Sequence, residues 1–529
     1  MLNITRRELL TYIGLAGGSS ALLKTSVAMG LMGNDSFSGP VKVKPASGGK
    51  KPSVLILGAG IAGLATALEL EQAGYDCTIL EASHRAGGRN LTVRHGDKID
   101  EMGQPQICEF DQDENMYFNC GPARIPGHHK RILHYCKVLG VPLQVKANSC
   151  KMAYFQDDNS FGGKPVRQIE YHADARGLLS ELMWKSADAG QYDQLVSEED
   201  VVKLMHFAQA YGDLGDVGKY SGTNRAGSMA DRMLQFPHAK APIELKAMLD
   251  SRFWQGALLG AEEYDWCEPL MEVSGGMDGI VDGFVHQLKS KPLLNAQVRK
   301  IYNREHGVEV TYEQKGQFHT VEADYCFNNI PAYFMAGIEN NFSAEYQAGL
   351  NSIKRGHLFK IAFQMKERFW EKEGIYGGIS YTTDPIAQLW YPSHDIHAAK
   401  GIMLGAYTWD SKATVAFEAM TPAERLIVSA KAGEKIHPGY SQYIENGISI
   451  PWGRINHQMG CGMHMDKDDW DTYFHMLQEP EGRHFMIGDQ ISHHSGWQEG
   501  ALASSEQALQ QLNKILGAKI ETQGASYVS

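Results

Sequence analysis

The sequence predicts a mixed α/β fold with three parts. These are a Rossmann-like dinucleotide-binding domain assembled from discontinuous pieces, a mixed-sheet substrate-binding domain, and an inserted helical domain. Three observations carry this. Ser53–Arg89 reads as an apolar strand, a glycine-rich turn, a helix, a second strand and an acid. A long central stretch has helix-forming composition at near-3.6 spacing. A strand running into a turn, Phe485–Asp489, precedes a last helix, so the first domain closes only near the C-terminus.

The elements follow in chain order. Thr5-Arg6-Arg7-Glu8-Leu9-Leu10 is a twin-arginine pattern, followed by a weakly apolar Leu9–Leu23 and the small-residue run Ser26-Val27-Ala28. Residues 1–32 are therefore expected to be a twin-arginine-type signal, with the mature protein periplasmic or secreted. Gly17, Gly18, Ser19, Ser20 and Lys24 interrupt the apolar stretch, which is too short for a membrane span. Residues 33–52 are rich in Gly, Ser, Pro and Lys and read as a linker.

Val54–Leu57 is a short apolar run suited to a buried parallel strand. Gly58, Gly60 and Gly63 form GxGxxG. The first glycine allows the tight turn, the second lets backbone approach a pyrophosphate, and the third allows close helix–strand packing. Ile61–Ala73 has helical spacing and stops before Gly74. Its first residues, Ile61 and Ala62, offer free N–H groups and a positive dipole end to phosphates. Glu81 lies eighteen positions after Gly63, close to the roughly 20 expected for an acid on a ribose hydroxyl. Such an acid disfavours a 2′-phosphate, and hence NADP.

Pro126–Leu139 is expected to be helical, within a largely helical insertion over 128–260. Gly275–Gly279 opens a helix, Ile280–Leu288. Leu293–Ile301, Val308–Glu313, Phe318–Phe327, Phe359–Met365 and Ile402–Tyr407 are strand candidates, and Gly500–Leu516 is the last helix. The expected domain pieces are 53–127, 261–330 and 456–516 for the dinucleotide-binding domain, and 331–455 for the substrate-binding domain. Residues 517–529 form a tail.

Composition restricts the function class. The chain has 529 residues, 43% hydrophobic and 21% charged, which indicates a packed globular protein. The net charge of −12 argues against nucleic acid as a partner. Eight cysteines are scattered without CxxC pairs, so neither zinc-finger spacing nor a disulfide framework is indicated. His128-His129, His493-His494 and Asp466-Lys467-Asp468-Asp469 have no recognised ligand spacing either, and no metal is expected.

The extension Glu81-Ala82-Ser83-His84-Arg85-Ala86-Gly87-Gly88-Arg89 narrows the reading. It resembles the FAD-binding signature of the flavin-containing amine oxidases. From Val54 to about Leu516 the motif order is similar to that family, and within it to bacterial L-amino acid oxidases. The resemblance implies FAD as cofactor, probed by Glu81, Ala82 and Arg89, with Arg89 near the flavin and diphosphate. Gly121-Pro122-Ala123-Arg124-Ile125-Pro126 is similar to a family segment passing the flavin, whose arginine grips a substrate carboxylate. A planar guanidinium suits that task because it meets a carboxylate bidentately. Gly275-Gly276-Met277-Asp278 resembles another family element.

Further positions follow from the same resemblance. Val298 matches a residue whose backbone contacts adenine, and Lys360 a lysine holding a water near flavin N5. Tyr407 is similar to a tyrosine bonding the carboxylate together with the arginine. Trp390 lines the substrate side, and Trp497 closes the cavity. Asp489, where relatives often have glutamate, joins Gly496, Trp497, Gln498, Glu499, Gly500 and Ala501 in the second FAD segment. Trp452 and Cys461 line up with residues near the isoalloxazine. In monoamine oxidases a cysteine at the place of Cys461 links the flavin covalently, but L-amino acid oxidases usually hold FAD noncovalently.

The implied activity is oxidative deamination of free L-amino acids, apolar or aromatic ones favoured, to 2-oxo acid, ammonia and hydrogen peroxide, with dioxygen as oxidant. Catalysis would rest on Arg124, Lys360, Tyr407 and Trp497, and the substrate contacts on Arg124, Tyr407, Trp390 and Trp497. A homo-oligomer, commonly a dimer, is implied. A tryptophan 2-monooxygenase-like reaction and an amine or polyamine oxidase are the alternatives within the family.

Overall fold

The computed structural model describes residues 37, 39–46, 51–192, 196–228, 234, 236, 238–251, 253–258 and 262–517. The expected signal segment lies outside the described residues. Much of the expected linker does too. Within its described part, residues 41–46 are anchored: Lys44 N–H donates to Asn513 Oδ1 (2.8 Å) and Ala46 N–H to Ala73 O (2.9 Å).

The nucleus is a parallel four-stranded sheet. β1 (Ser53–Leu57) runs into α1 (Ile61–Gln72) and then β2 (Asp76–Leu80). β3 (Tyr325–Asn328) and β4 (His484–Met486) come from far along the chain, giving the order β2-β1-β3-β4. Every pairing is parallel, with Val54 opposite both Cys77 and Tyr325. Both faces of β1 are covered, as a parallel strand requires. Val54 and Ile56 pack on α1 and on the last helix, which spans Gln498–Ile515. Leu55 and Leu57 pack on Val298, Ile301 and Val310.

Gly58, at φ +93°, ends β1 in a conformation that L side chains rarely adopt. Gly63 has a different constraint: a Cβ there would stand 2.2 Å from the Gly58 carbonyl oxygen. The third glycine thus sets how closely α1 approaches the turn.

Two further sheets are the largest of the rest. Gln297–Arg304, Gly307–Gln314 and Gln317–Ala323 form an antiparallel meander beside the parallel sheet. The run Phe318–Phe327 was expected to be one strand. It divides at Asp324, whose carboxylate accepts from Ser53 N–H (2.7 Å), and its halves enter different sheets. The third sheet has seven strands, with Phe359–Met365 between Gly401–Thr408 and Ile444–Pro451.

The segment 128–260 differs from its expected largely helical character. Helices Gln168–Asp188, Glu198–Gly212 and Leu245–Ser251 are present. However, Leu143–Lys146 pairs with Leu270–Val273, and Tyr154–Gln156 and Val166–Arg167 extend the seven-stranded sheet. The helix expected over Pro126–Leu139 starts only at Lys130, because Ile125–Pro126 pairs with Leu270–Met271. Among the described residues no helix is long and apolar enough to cross a membrane.

A fully buried ion pair ties the helix Pro422–Ile436 to the first third of the chain. Arg425 donates to both oxygens of Glu101, at 2.7 and 2.8 Å, and both side chains are fully buried.

Candidate active site

A cavity of about 560 Å³ opens where the C-terminal ends of β1 and β3 meet the seven-stranded sheet. Its position follows from topology, since ligands of open α/β sheets bind beyond the carboxyl ends of the strands. Most expected site residues line it. Gly58, Gly60, Ile61 and Ala62 form the turn wall, and Glu81, Ala82 and Arg89 a second wall. Gly121, Pro122, Ala123 and Arg124 lie across from them. Val298 lies at one end; Lys360, Trp390 and Tyr407 lie at the other. Asp489, Gly496, Trp497, Gln498 and Ala501 close the cavity.

Three expected residues stand behind the wall. Gly63 packs the helix against its own turn. Glu499 was expected in the second FAD segment. Its carboxylate instead accepts the N–H groups of Arg131 and Ile132, each at 3.0 Å, and so caps the helix Lys130–Val138. Gly500 permits contact with the loop before it, since a Cβ there would lie 2.3 Å from His494 O. Trp452, aligned from the sequence with residues near the flavin ring, is fully buried away from the cavity wall and donates its indole N–H to Cys120 O (3.1 Å). Cys461 does line the cavity.

The acidic residue after β2 is held in place. Glu81 accepts Ala59 N–H at 2.7 Å and Ser83 N–H at 2.8 Å. Each carboxylate oxygen can still accept from a ligand hydroxyl. Arg89 is paired with Asp489, which also accepts Gly496 N–H at 2.7 Å. Burial lowers the Arg89 pKa, but Asp489 outweighs it, and the guanidinium is held firmly charged.

Arg124 is arranged differently. Its Nη1 donates to Asn148 Oδ1 at 2.9 Å. Its guanidinium carbon lies 4.6 Å from the ring centre of Trp266, 4.9 Å from that of Trp390 and 5.8 Å from that of Trp497. Among the described residues no carboxylate pairs with it, although its side chain is only 9% exposed. Burial lowers its pKa, partly offset by Tyr407 and Tyr381. A buried cation with aromatic faces and a partly unused donor fork is a site for an anion.

Lys360 is buried on an interior strand. Its ammonium donates to Gly121 O at 2.6 Å and to Asn119 O at 3.3 Å. Burial lowers its pKa to about 8. Tyr407 stands beside it with its ring edge-on to Trp390, centroids 5.1 Å apart. Burial pushes the Tyr407 phenol up to about 12, against the pull of Arg124, so it remains a proton donor at neutral pH.

Several residues at the site carry no motif in the sequence. Trp266 and Asn90 line the cavity, and Asn148 accepts a hydrogen bond from Arg124 behind it. Asn90 directly follows the Gly-Gly-Arg run, where its amide could have been noticed. Trp266 and Asn148 are brought to Arg124 only by tertiary contacts. The amides of Asn90 and Gln498 are buried at the cavity wall without a hydrogen-bond partner among the described residues. Together with the glycine turn and the N-terminus of α1, these unsatisfied amides fit a large polar ligand such as FAD.

Sheet order and cavity define a nucleotide-binding α/β fold whose cavity runs on to a second compartment around Arg124. The chain belongs to the flavin containing amine oxidoreductase family, whose description matches residues 61–513. FAD is accordingly its cofactor. It is 26% identical over 479 residues to an L-amino-acid oxidase of Siganus canaliculatus, covering 87% of this chain and 85% of the relative. It is 25% identical over 483 residues to the flavin-dependent L-tryptophan oxidase RebO of Lentzea aerocolonigenes, covering 85% and 96%. Its fold is similar to that of cyclohexylamine oxidase from Brevibacterium oxydans IH-35A, with TM-score 0.59, 16% identity, and 88% and 100% of the two chains covered.

Proposed function

We propose that the protein is an FAD-dependent L-amino acid oxidase. It would convert free L-amino acids, dioxygen and water into 2-oxo acids, ammonia and hydrogen peroxide. The observation that carries this reading is Arg124, a buried guanidinium at the cavity wall with no carboxylate partner among the described residues. A simple amine substrate would leave that cation unanswered, whereas an α-carboxylate satisfies it.

The protein's own residues have separable tasks. The unused part of the Arg124 fork and the Tyr407 hydroxyl receive the substrate carboxylate, which fixes the position of the α-carbon. Trp266, Trp390, Trp497 and Trp409 enclose the side chain and exclude water, favouring apolar and aromatic substrates. The turn at Gly58 and Gly60, with Glu81 and Arg89, would hold FAD, which would supply the two-electron oxidation of the substrate and its reoxidation by dioxygen. Lys360, tethered by Gly121 O, keeps a donor turned to the cavity, where it orients a water for imine hydrolysis or for the oxygen step. We read the flavin as noncovalent, because burial raises the Cys461 pKa and a protonated thiol is a poor nucleophile. Export through the twin-arginine segment is part of the same reading.

The test is anaerobic bleaching of the visible flavin absorbance with L-amino acids, D-amino acids and the matching decarboxylated amines. Bleaching by L-amino acids alone, with peroxide formed when air is admitted, is the expected result. Bleaching by the amines would move the protein to the amine oxidases and remove the role given to Arg124.

A further inference from the structure

Three groups that are scattered in the sequence converge at the rim of the cavity. His128 Nε2 lies 2.8 Å from Asp265 Oδ1, and His129 Nε2 lies 3.1 Å from the same oxygen. The three ligand-type atoms are all within 4.8 Å of one another. His494 Nδ1 stands 3.6 Å from the other Asp265 oxygen. The groups come from three separate stretches: the turn before helix Lys130–Val138, the short turn Tyr264–Trp266, and the loop before the last helix.

We propose that His128, His129 and Asp265, with His494 as a fourth donor, bind a divalent transition-metal ion of the zinc type. Two imidazoles aimed at one carboxylate oxygen form a converging set of nitrogen and oxygen donors. In the present arrangement shared protons hold the three together. A zinc ion would replace those protons and needs donors at roughly 2.0–2.2 Å, reachable by small side-chain shifts from this spacing. Imidazole with carboxylate suits zinc and its neighbours rather than magnesium or calcium, which prefer all-oxygen sets. The site is also reachable: the His128 and Asp265 side chains are 24% and 26% exposed, while His129 forms the buried floor.

The position gives the ion a consequence. Trp266 directly follows Asp265, and Trp497 meets His129 edge-on with ring centroids 5.0 Å apart. Both tryptophans face Arg124. An ion joining the three stretches would hold both rings in place and narrow the route to the cavity. This coupling to substrate rests on the function proposed above, but the metal site itself does not.

The test uses untagged, chelator-treated holoenzyme dialysed against zinc. One equivalent of zinc should be retained by the wild-type protein. His128→Ala and Asp265→Asn should each weaken retention at least tenfold, while still binding flavin. In the wild-type protein zinc should raise KM severalfold with little effect on kcat, and this effect should vanish in both variants. Failure of the wild-type protein to retain zinc, or undiminished retention in both variants, overturns the site. Zinc retention with an unchanged KM overturns the coupling. The binding arm needs no substrate, so it fails or succeeds independently of the proposed activity.

Discussion

Lys360 and Tyr407 sit opposite each other on neighbouring antiparallel strands, and the lysine ammonium is 4.7 Å from the centre of the phenol ring. Strand register therefore places a cation and a phenolic donor side by side on one wall of the cavity. One is tethered by backbone carbonyls, the other braced by Trp390. Both residues line the cavity.

The Lys360 side chain should titrate within the working range. Below about pH 8 the ammonium is charged; above it the group becomes neutral, because burial penalises the charge. A kcat profile should therefore show an alkaline limb near that pH. Lys360→Met should abolish this limb and reduce kcat about a hundredfold, the lower range for a lost proton-handling group. A limb that persists in the variant would assign the titration elsewhere.

Arg124→Met removes the proposed carboxylate anchor. A charge-assisted pair is worth about 1.5–3 kcal/mol, so kcat/KM for L-amino acids should fall about ten- to hundredfold or more. Flavin content should remain that of the wild-type protein. Steady-state kinetics with one amino acid and its decarboxylated amine separates the effects: only the former should decline.

Tyr407→Phe keeps the ring against Trp390 and deletes the hydroxyl. Loss of one hydrogen bond of about 1 kcal/mol should raise KM roughly fivefold with kcat less affected. A larger fall in kcat than rise in KM would give the hydroxyl a role in the reaction step itself.

Gly63→Ala tests the cofactor turn. The added Cβ would meet the Gly58 carbonyl at 2.2 Å, so α1 or the turn must shift. Overpacking of this kind costs about 1–3 kcal/mol. The variant should purify with substoichiometric flavin and a lowered Tm, measured by absorbance ratio and thermal unfolding.

Arg425→Met breaks the buried pair with Glu101 far from the chemistry. Leaving a buried carboxylate without its bidentate partner costs about 3–5 kcal/mol. Residual contacts from Arg454 and Gln106 to Glu101 should hold the loss near the lower end. The expected readout is a large drop in Tm with near-normal kcat in the protein that folds.

The cofactor-binding unit was legible because its determinants are contiguous. Strand, glycines, helix and acid all lie between Ser53 and Glu81, and each acts through local sterics or a nearby dipole. The motifs around Arg124, Lys360 and Asp489 also announced themselves, and all three residues line the same cavity. Glu499 and Trp452 were less legible. Both sit in motif-like surroundings, but their partners are the backbone of Arg131 and Ile132 and the Cys120 carbonyl, none of which is adjacent in sequence.

By itself the sequence determined the dinucleotide fold, the family resemblance and the identity of the buried cations. Those depend on short-range patterns of glycine, periodicity and charge. Tertiary structure alone decided what surrounds the cations. It split Phe318–Phe327 between two sheets through the contact of Asp324 with Ser53. It brought Trp266 onto Arg124 and carried Asp265 to His128, 137 positions away. The physical reason is burial. Which side chains share a dry wall is set by how whole sheets and loops close over one another, and that closure has no signature in any single stretch of chain.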